Sequence, residues 1–203
     1  MKNRSSHFPL RRLLFLLIAF LLITLPRAAQ ATLFFSDFSA HNGGADNVTG
    51  ASWLAGAFTT DNAAYSQLSA TLLLDQATAG AAELDLYSSI GLEPKTFVKA
   101  FTSPASYSST LASTTFTASS VALTANTTYW LVLKANSGSF DWGWTDDFSI
   151  LHDTGLSSDS GATWFTSDAY PYQFSVTGST APEPSGAVAG LILLTLGSRR
   201  RRR

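Results

Sequence analysis

The stretch Thr128-Tyr129-Trp130-Leu131-Val132-Leu133-Lys134-Ala135 decides the fold, because it has the pattern of a β-strand with two apolar faces. Alternate side chains of a strand point to opposite faces, and apolar residues occupy both sets of positions here. A strand with one face in water would carry polar residues at every second position. The sequence therefore predicts that this strand lies in the middle of a sheet.

Three further segments alternate apolar and polar residues with period two, as strands with one face in the core do. They are residues 68–75, 82–87 and 172–177. Turn-forming residues separate the predicted strands, namely Asn42-Gly43-Gly44, Ala79-Gly80, Gly91-Leu92-Glu93-Pro94, Ser103-Pro104, Asn136-Ser137-Gly138 and Ser158-Asp159-Ser160-Gly161. The prediction is an all-β fold, an antiparallel β-sandwich of jelly-roll or immunoglobulin-like topology.

Residues 1–31 have the composition of a secretory signal peptide. Basic residues are followed by an apolar segment over residues 13–25, predicted as a helix, and Ala29-Gln30-Ala31 supplies the small residues of a cleavage site. We expect cleavage between Ala31 and Thr32. The alternative is an uncleaved N-terminal anchor.

Residues 181–203 combine three features that favour sorting at a membrane. Pro182-Glu183-Pro184 is a polar hinge, residues 185–198 form an uncharged apolar segment, and the chain ends in Arg199, Arg200, Arg201, Arg202 and Arg203. Terminal arginines stay with the anionic cytoplasmic leaflet and so orient the helix. A spanning helix needs roughly 20 residues, and this one is shorter, so we expect a transient anchor that is cut near the prolines.

This tail resembles the PEP-CTERM sorting signal of exopolysaccharide-producing Gram-negative bacteria, with Pro182-Glu183-Pro184, the apolar core at residues 187–196 and the terminal arginines as the matching parts. Its helix is shorter than is usual in that family. The resemblance implies export with cleavage by signal peptidase, a transient stay in the inner membrane and processing by an exosortase-like enzyme. It also implies delivery to the cell surface or extracellular matrix, with exopolysaccharide as the partner there.

Residues 32–180 are expected to form one β-sandwich domain, with Gly178-Ser179-Thr180-Ala181 as a small polar linker into the tail. Their order of features is similar to that of the choice-of-anchor exported domains, type R in particular. The similarity is carried by aromatic and turn motifs at residues 53–60, 123–133, 159–164 and 172–176, with the strands at 68–74 and 84–87. It implies an all-β surface module and brings no catalytic residues.

The middle of the chain is strongly acidic, although the whole chain is nearly neutral. Residues 32–184 hold all 14 acidic residues against three lysines, a net charge of −11. Such a domain repels phosphate backbones, so we expect no nucleic-acid partner. Cysteine is absent, so core packing must hold the fold without disulfides.

The sequence offers few groups for catalysis. Outside the leader its histidines are His41 and His152. Asp153-Thr154-Gly155 occurs once, without the second copy that an aspartic-protease dyad needs. We interpret this tripeptide as a turn and His152 as a surface-loop residue, with metal binding as the alternative for His152. The prediction is a non-enzymatic protein without a resident cofactor.

One short segment holds both candidate ligand-binding sets. Asp141, Asp146 and Asp147 place three carboxylates close together, which predicts a candidate Ca²⁺ site; an acidic surface turn is the alternative. Trp142 and Trp144 alternate on one strand, as a flat platform for sugar stacking would. The alternative, which we favour, is that both rings pack in the core.

The sequence thus predicts an exported, non-enzymatic protein of the cell surface or extracellular matrix, sorted by its tail and associated with exopolysaccharide. The alternative is a lectin-like carbohydrate-binding module whose exposed tryptophans stack on the sugar. Exposure of the two tryptophan rings distinguishes these hypotheses.

Overall fold

The computed structural model describes residues 31–38, 40–62 and 65–179. These residues fall within one compact unit, Gln30–Thr180. Their regular structure consists of ten β-strands, and none of the described residues is helical. The strands are β1 (Ala31–Ser36), β2 (Asn42–Val48), β3 (Trp53–Thr59), β4 (Gln67–Ile90), β5 (Glu93–Ala100), β6 (Ala112–Ser119), β7 (Thr128–Thr145), β8 (Thr154–Ser157), β9 (Phe165–Ser167) and β10 (Phe174–Ser179).

All ten strands belong to one branched sheet in which every strand pair is antiparallel. The main path runs β1-β10-β4-β7-β3-β8-β9. Strands β5 and β6 pair with β4, and β2 pairs with β7. The predicted all-β class and its antiparallel pairing are therefore confirmed.

Strand β7 lies between β4 and β3, as its two apolar faces predicted. Leu131 and Leu133 are fully buried on one face and join the main hydrophobic core. Trp130 and Val132 are fully buried on the other face, where they belong to a smaller apolar cluster. The central position of the strand is therefore matched by burial on both sides.

The predicted strands at residues 68–75 and 82–87 are parts of one long strand, β4, so the loop predicted at Ala79-Gly80 is wrong. The loop predicted at Asn136-Ser137-Gly138 is also wrong, because β7 runs through it. The two segments face each other where the register of β4 and β7 shifts. Gly138 has a φ of +66°, and a Cβ there would lie 2.6 Å from the Thr78 carbonyl oxygen. Here the glycines permit bulges that bend the strands instead of ending them.

Two other predicted irregular segments also belong to strands. Asn42-Gly43-Gly44 opens β2, and the reason for its glycines is close packing: a Cβ on Gly44 would lie 2.5 Å from Cζ2 of Trp144. Gly178 and Ser179, expected to begin a linker, are the last residues of β10 and pair with β4. The turn predicted at residues 91–94 is formed by Gly91 and Leu92 alone, because Glu93 and Pro94 begin β5. The loop at residues 158–161 lies where it was predicted.

The main core is a hydrophobic cluster to which β2, β3, β4, β6, β7 and β10 all contribute. The predicted inner face of the first half of β4 is confirmed, because all four members are buried: Leu68, Ala70, Leu72 and Leu74. The largest fully buried rings of this cluster are those of Phe116, Phe140, Trp142 and Phe174. Each such side chain contributes about 1.5–3 kcal/mol on burial, which is how the domain is stabilised without disulfides.

The predicted terminal signals lie outside the described residues. This applies to residues 1–30, with the leader helix, and to residues 180–203, with Pro182, Glu183, Pro184 and the apolar helix that precedes Arg199. Within the described ranges, no helix has the length and apolar character needed to cross a membrane.

Candidate functional site

Trp142 is a core residue, so the predicted platform of two exposed tryptophans is wrong. Its ring is fully buried, and its Nε1 donates to the Gln173 carbonyl oxygen at 3.0 Å. The ring also stacks on Tyr172, with 5.0 Å between the ring centres. A buried indole whose polar atom is satisfied offers no face to a sugar. Core packing, the favoured alternative, is confirmed for Trp142.

Trp144 is half-buried and lies at the centre of a group of surface rings. Tyr170 meets it edge-on with 5.0 Å between ring centres, and Phe148 meets Tyr170 at 6.0 Å. Tyr170 and Phe148 are each more than half exposed. We call Trp144, Tyr170 and Phe148 the aromatic patch. It combines the end of β7 with two loops, so Phe148 is close to Trp144 in the sequence and Tyr170 comes from a later loop.

The backbone of β2 fixes the position of Trp144. Gly44 is the register partner of Trp144 in the β2–β7 pair. A Cβ on Gly43 or on Gly44 would collide with the indole ring. Glycine therefore lets the β2 backbone lie directly against the ring. The ring is held from this side, and the solvent-exposed surface of the patch is supplied mainly by Tyr170 and Phe148.

A polar pair lies next to the aromatic patch. His41 Nδ1 and Asp146 Oδ1 are 3.0 Å apart, and both side chains are at least half exposed. The backbone nitrogen of Asp146 lies close to Gly43, which itself contacts Trp144. Rings beside convergent donors and acceptors are the usual composition of a small-ligand site.

The three aspartates predicted as calcium ligands have separate partners. Asp141 accepts a hydrogen bond from Asn47 Nδ2 at 2.6 Å, and Asp146 faces His41. Asp147 accepts from the hydroxyl and the backbone N–H of Ser149, which hold its pKa below the usual value. In the part of the chain that the structure describes, no three His, Cys, Asp or Glu side chains come together. The predicted cluster is therefore not formed.

A charged network that the sequence analysis did not single out lies across β4 and β7, on the face opposite the main core. Lys134 Nζ is 3.0 Å from Glu83 Oε1 and 2.8 Å from Asp85 Oδ2. Asn136 donates to Glu83 Oε2 at 2.7 Å. Asp85 is only 1% exposed, and its Oδ1 has no hydrogen-bond partner among the described residues. The available signal was a single lysine in the apolar strand at residues 128–135.

Burial and pairing act against each other in this network. Burial raises the pKa of Asp85, and Lys134 offsets only part of that rise. The hydrogen bond from Asn136 lowers the pKa of Glu83, and Lys134 adds to the effect. Burial by itself lowers the pKa of Lys134, but Asp85 and Glu83 together raise it above its ordinary value. The network is thus a cross-strand ion pair whose members depend on one another.

Three tryptophans cover the same face of the sheet and act as packing residues. Trp130 is fully buried and its Nε1 donates to Ser89 Oγ at 3.1 Å. Trp53 and Trp164 are half-buried and pack against its cluster. The Nζ of Lys134 lies 5.1 Å from the centre of the Trp53 ring, a cation–π distance.

The side chain of His152 is buried, so its interpretation as a surface group is wrong, although the residue lies in a loop. Its side chain is 6% exposed and lies between the rings of Phe35 and Phe174. Its Nδ1 is 4.0 Å from Oδ2 of Asp37, which is fully buried. Asp37 Oδ1 accepts from the Phe174 backbone N–H at 2.7 Å, while Oδ2 and both imidazole nitrogens have no hydrogen-bond partner among the described residues.

The environment of this pair keeps both groups neutral over a range of pH. Burial raises the pKa of Asp37 to about 7 and lowers the pKa of His152 to about 4. The neighbouring Asp153-Thr154-Gly155 is not a turn, because Thr154 and Gly155 begin β8. The Asp37–His152 pair therefore stands inside the packed domain and not in a cleft.

The chain has no match among protein-family models and no significant match among curated proteins. Inferences about its function therefore rest on features of the chain itself, namely the terminal segments, the aromatic patch and the charge distribution.

Proposed function

We propose that this chain is an exported, non-enzymatic protein of the cell surface or extracellular matrix, associated with exopolysaccharide. The observation that carries the proposal is the sequence at its two ends. A basic and apolar leader covers residues 1–31, and residues 181–203 combine Pro-Glu-Pro, an apolar stretch and five arginines. The strongly acidic domain between them suits a protein that must stay soluble after export.

Signal peptidase and an exosortase-like enzyme are the processing partners in this proposal. The first cuts after Ala31 and the second near Pro182-Glu183-Pro184, after transient anchoring in the inner membrane of a Gram-negative cell. Strand β1 begins at Ala31, so cleavage before Thr32 leaves nearly the whole strand in the mature domain.

Mass spectrometry of surface material from a Gram-negative host that carries an exosortase tests the proposal. We expect a mature chain that begins at Thr32 and lacks the residues after Pro184. A variant in which all five arginines from Arg199 onward are replaced by Gln should be sorted poorly, whereas replacement of the same five by Lys, which keeps the positive charge, should leave sorting normal. Surface protein that still contains Met1 or Arg203 would contradict the proposed processing.

We also infer that the branched sheet is folded into a β-sandwich of the jelly-roll or immunoglobulin-like kind. The first half of β4 pairs with β6 and β10, and its second half pairs with β5 and β7. Leu72 from the first half and Leu84 from the second half belong to the same hydrophobic cluster. Two sheet portions that bury side chains in one core are best described as two packed layers.

A carbohydrate-binding module is the second candidate function, and the aromatic patch is the observation that favours it. Tyr170 and Phe148 present ring surface to solvent, and the His41–Asp146 pair beside them supplies polar contacts. The domain is acidic, so a polymer of sugar acids would be repelled. The ligand of this second candidate is therefore a neutral or amino-sugar polysaccharide.

Co-sedimentation of the full chain with cellulose or chitin tests the second candidate. Tyr170→Ala and Phe148→Ala should each weaken retention about tenfold, which corresponds to the loss of one good ring contact. Phe165→Ala is the matched control, because Phe165 is 72% exposed but lies on β9, outside the patch. Equal retention of all three variants would rule the patch out as the sugar site.

A further inference from the structure

The β4–β5 hairpin ends in an exposed apolar tip. Ile90 closes β4 and is 65% exposed, and Leu92 in the turn is 63% exposed. Gly91 between them has a φ of +64°, and no atom lies within 4 Å of the position of its missing Cβ. The turn therefore projects from the domain with two large aliphatic side chains in water. Two neighbouring aliphatic side chains at a projecting tip form a small apolar patch that another surface can cover.

The charge around this tip is opposite to that of the domain. Glu93 is the one acidic residue between Asp85 and Asp141. Strand β5, which returns from the tip, carries Lys95 and Lys99, so residues 86–100 hold two positive charges against one negative charge. Asp85, at the base of the hairpin, is paired with Lys134. Neither lysine forms an ion pair with any residue that the structure describes.

The third lysine of the domain does not share this situation. Lys134 is held between Glu83 and Asp85 in the charged network. The two unpaired lysines of an otherwise acidic domain thus lie on the one hairpin whose tip is aliphatic. The hairpin therefore fits a surface that combines negative charge with an apolar layer.

We propose that the β4–β5 hairpin docks on the surface of an anionic phospholipid bilayer. Ile90 and Leu92 enter the boundary between headgroups and acyl chains, as the apolar face of an interfacial segment does. Lys95 and Lys99 remain among the anionic headgroups, where each lysine strengthens binding. The acidic remainder of the domain is repelled by the same surface, which orients the domain with this hairpin toward the lipid.

Other occupants fit the hairpin less well. An acidic polysaccharide would pair with the lysines but would leave Ile90 and Leu92 in water. A second copy of the chain would cover the aliphatic tip, but it would bring another strongly acidic domain close to the first. A bilayer with anionic lipids satisfies both features.

A site-specific probe in the full chain tests the proposal. The chain has no cysteine, so Leu92→Cys takes a single environment-sensitive fluorophore. The full chain is mixed with vesicles of phosphatidylcholine alone or with phosphatidylglycerol added. Phe165→Cys is the matched control, because it places the same label at an exposed apolar position on another strand. Both labelled variants carry the same terminal segments, so binding through those segments occurs in both.

We expect a blue-shifted label at position 92 that is quenched by lipid-borne quenchers, and a label at position 165 that stays in water. The effect should require phosphatidylglycerol. Lys95→Gln and Lys99→Gln should each raise the lipid concentration for half-maximal shift by roughly fivefold. Unchanged far-UV circular dichroism and tryptophan emission would show that the variants remain folded.

Three outcomes would overturn the proposal. The first is that the label at position 92 proves as accessible to aqueous quenchers as the label at position 165. The second is that the shift is the same on pure phosphatidylcholine and is unaffected by the lysine variants. The third is that the shift appears without lipid, either with rising protein concentration or on adding alginate, which would identify a second copy or an acidic polysaccharide as the occupant. Each of these results leaves the proposed export of the chain untouched.

Discussion

At the scale of single residues, the burial of Trp142 assigns its ring to core packing and not to ligand binding. Trp142→Ala removes a fully buried ring and the indole hydrogen bond to the Gln173 carbonyl oxygen, which keeps the Leu73 backbone N–H as its donor. We expect a loss of about 3–5 kcal/mol in the free energy of unfolding, typical of Trp→Ala in a core. Urea denaturation followed by circular dichroism measures it.

The control for this prediction is Trp144→Ala. Trp144 is only half-buried, so its replacement should cost clearly less than that of Trp142. If both substitutions cost the same small amount, Trp142 is not the core residue described above.

The Asp37–His152 pair makes a prediction about pH. The pKa of Asp37 is raised in the folded state, from 3.8 to about 7, so its contribution to stability is complete below pH 3.8 and is lost as the pH rises toward 7. The pKa of His152 is lowered, from 6.5 to about 4, so its contribution is complete above pH 6.5 and is lost as the pH falls toward 4. Between pH 4 and 6.5 the two slopes have opposite signs. We expect their effects to cancel there.

Single substitutions should separate the two slopes. In Asp37→Asn only His152 remains, so the free energy of unfolding should rise with pH by up to about 1.4 kcal/mol per pH unit between pH 4 and 6.5. In His152→Gln only Asp37 remains, and the free energy of unfolding should fall over the same range. Urea midpoints at pH 4.5, 5.5 and 6.5 measure both slopes. Parallel profiles for the two variants would contradict the opposite pKa shifts of Asp37 and His152.

At the scale of elements, the long strands β4 and β7 are joined by the network around Lys134. Lys134→Met leaves the carboxylate of Asp85, 1% exposed, without its cation. We expect a loss of about 3 kcal/mol in the free energy of unfolding at pH 7, as for a broken buried ion pair. The loss should shrink at pH 4, because protonation of Asp85 then removes its charge.

Lys95→Met is the control for this prediction. Lys95 is exposed and has no ion pair with a described residue, so its replacement should change the free energy of unfolding by no more than about 0.5 kcal/mol. An equal effect of both substitutions, or a Lys134→Met deficit that is independent of pH, would show that charge is not what Lys134 contributes.

The elements also show what the sequence could and could not predict. The alternation at residues 68–75, 82–87 and 128–135 located the core strands, because period two reports directly which side chains are buried. The glycines at positions 80 and 138 looked like turns, since glycine favours turns in most contexts. The segments around them are bulges within strands, because each segment pairs with the other long strand. The partners are some sixty residues apart, so the local sequence does not predict this pairing.

At the scale of the whole molecule, the candidate sites combine residues that are remote in sequence. The aromatic patch brings together Trp144, Phe148 and Tyr170, and its polar neighbour His41 comes from the other end of the domain. Trp144 was a candidate from the sequence because it alternates with Trp142 on one strand, as the residues of a stacking platform would. Its companions were not, because their position depends on the return of two loops to one end of the sheet.

Net charge is a property of the whole domain. Its excess of carboxylates is spread over many strands and loops, so self-repulsion should lower the stability of the folded state. The Debye length falls from about 30 Å at 0.01 M salt to about 10 Å at 0.1 M. We expect the thermal midpoint to rise between 0.01 and 0.1 M NaCl.

Calcium distinguishes general screening from a specific site. Because Asp141, Asp146 and Asp147 have separate partners, CaCl₂ should stabilise the fold only as much as NaCl at matched ionic strength. A saturable increase in the thermal midpoint with CaCl₂ that disappears in Asp147→Asn would mean that the three carboxylates can rearrange around the ion. Differential scanning calorimetry of the full chain and this variant decides between the two, and the expected result is one curve for both salts.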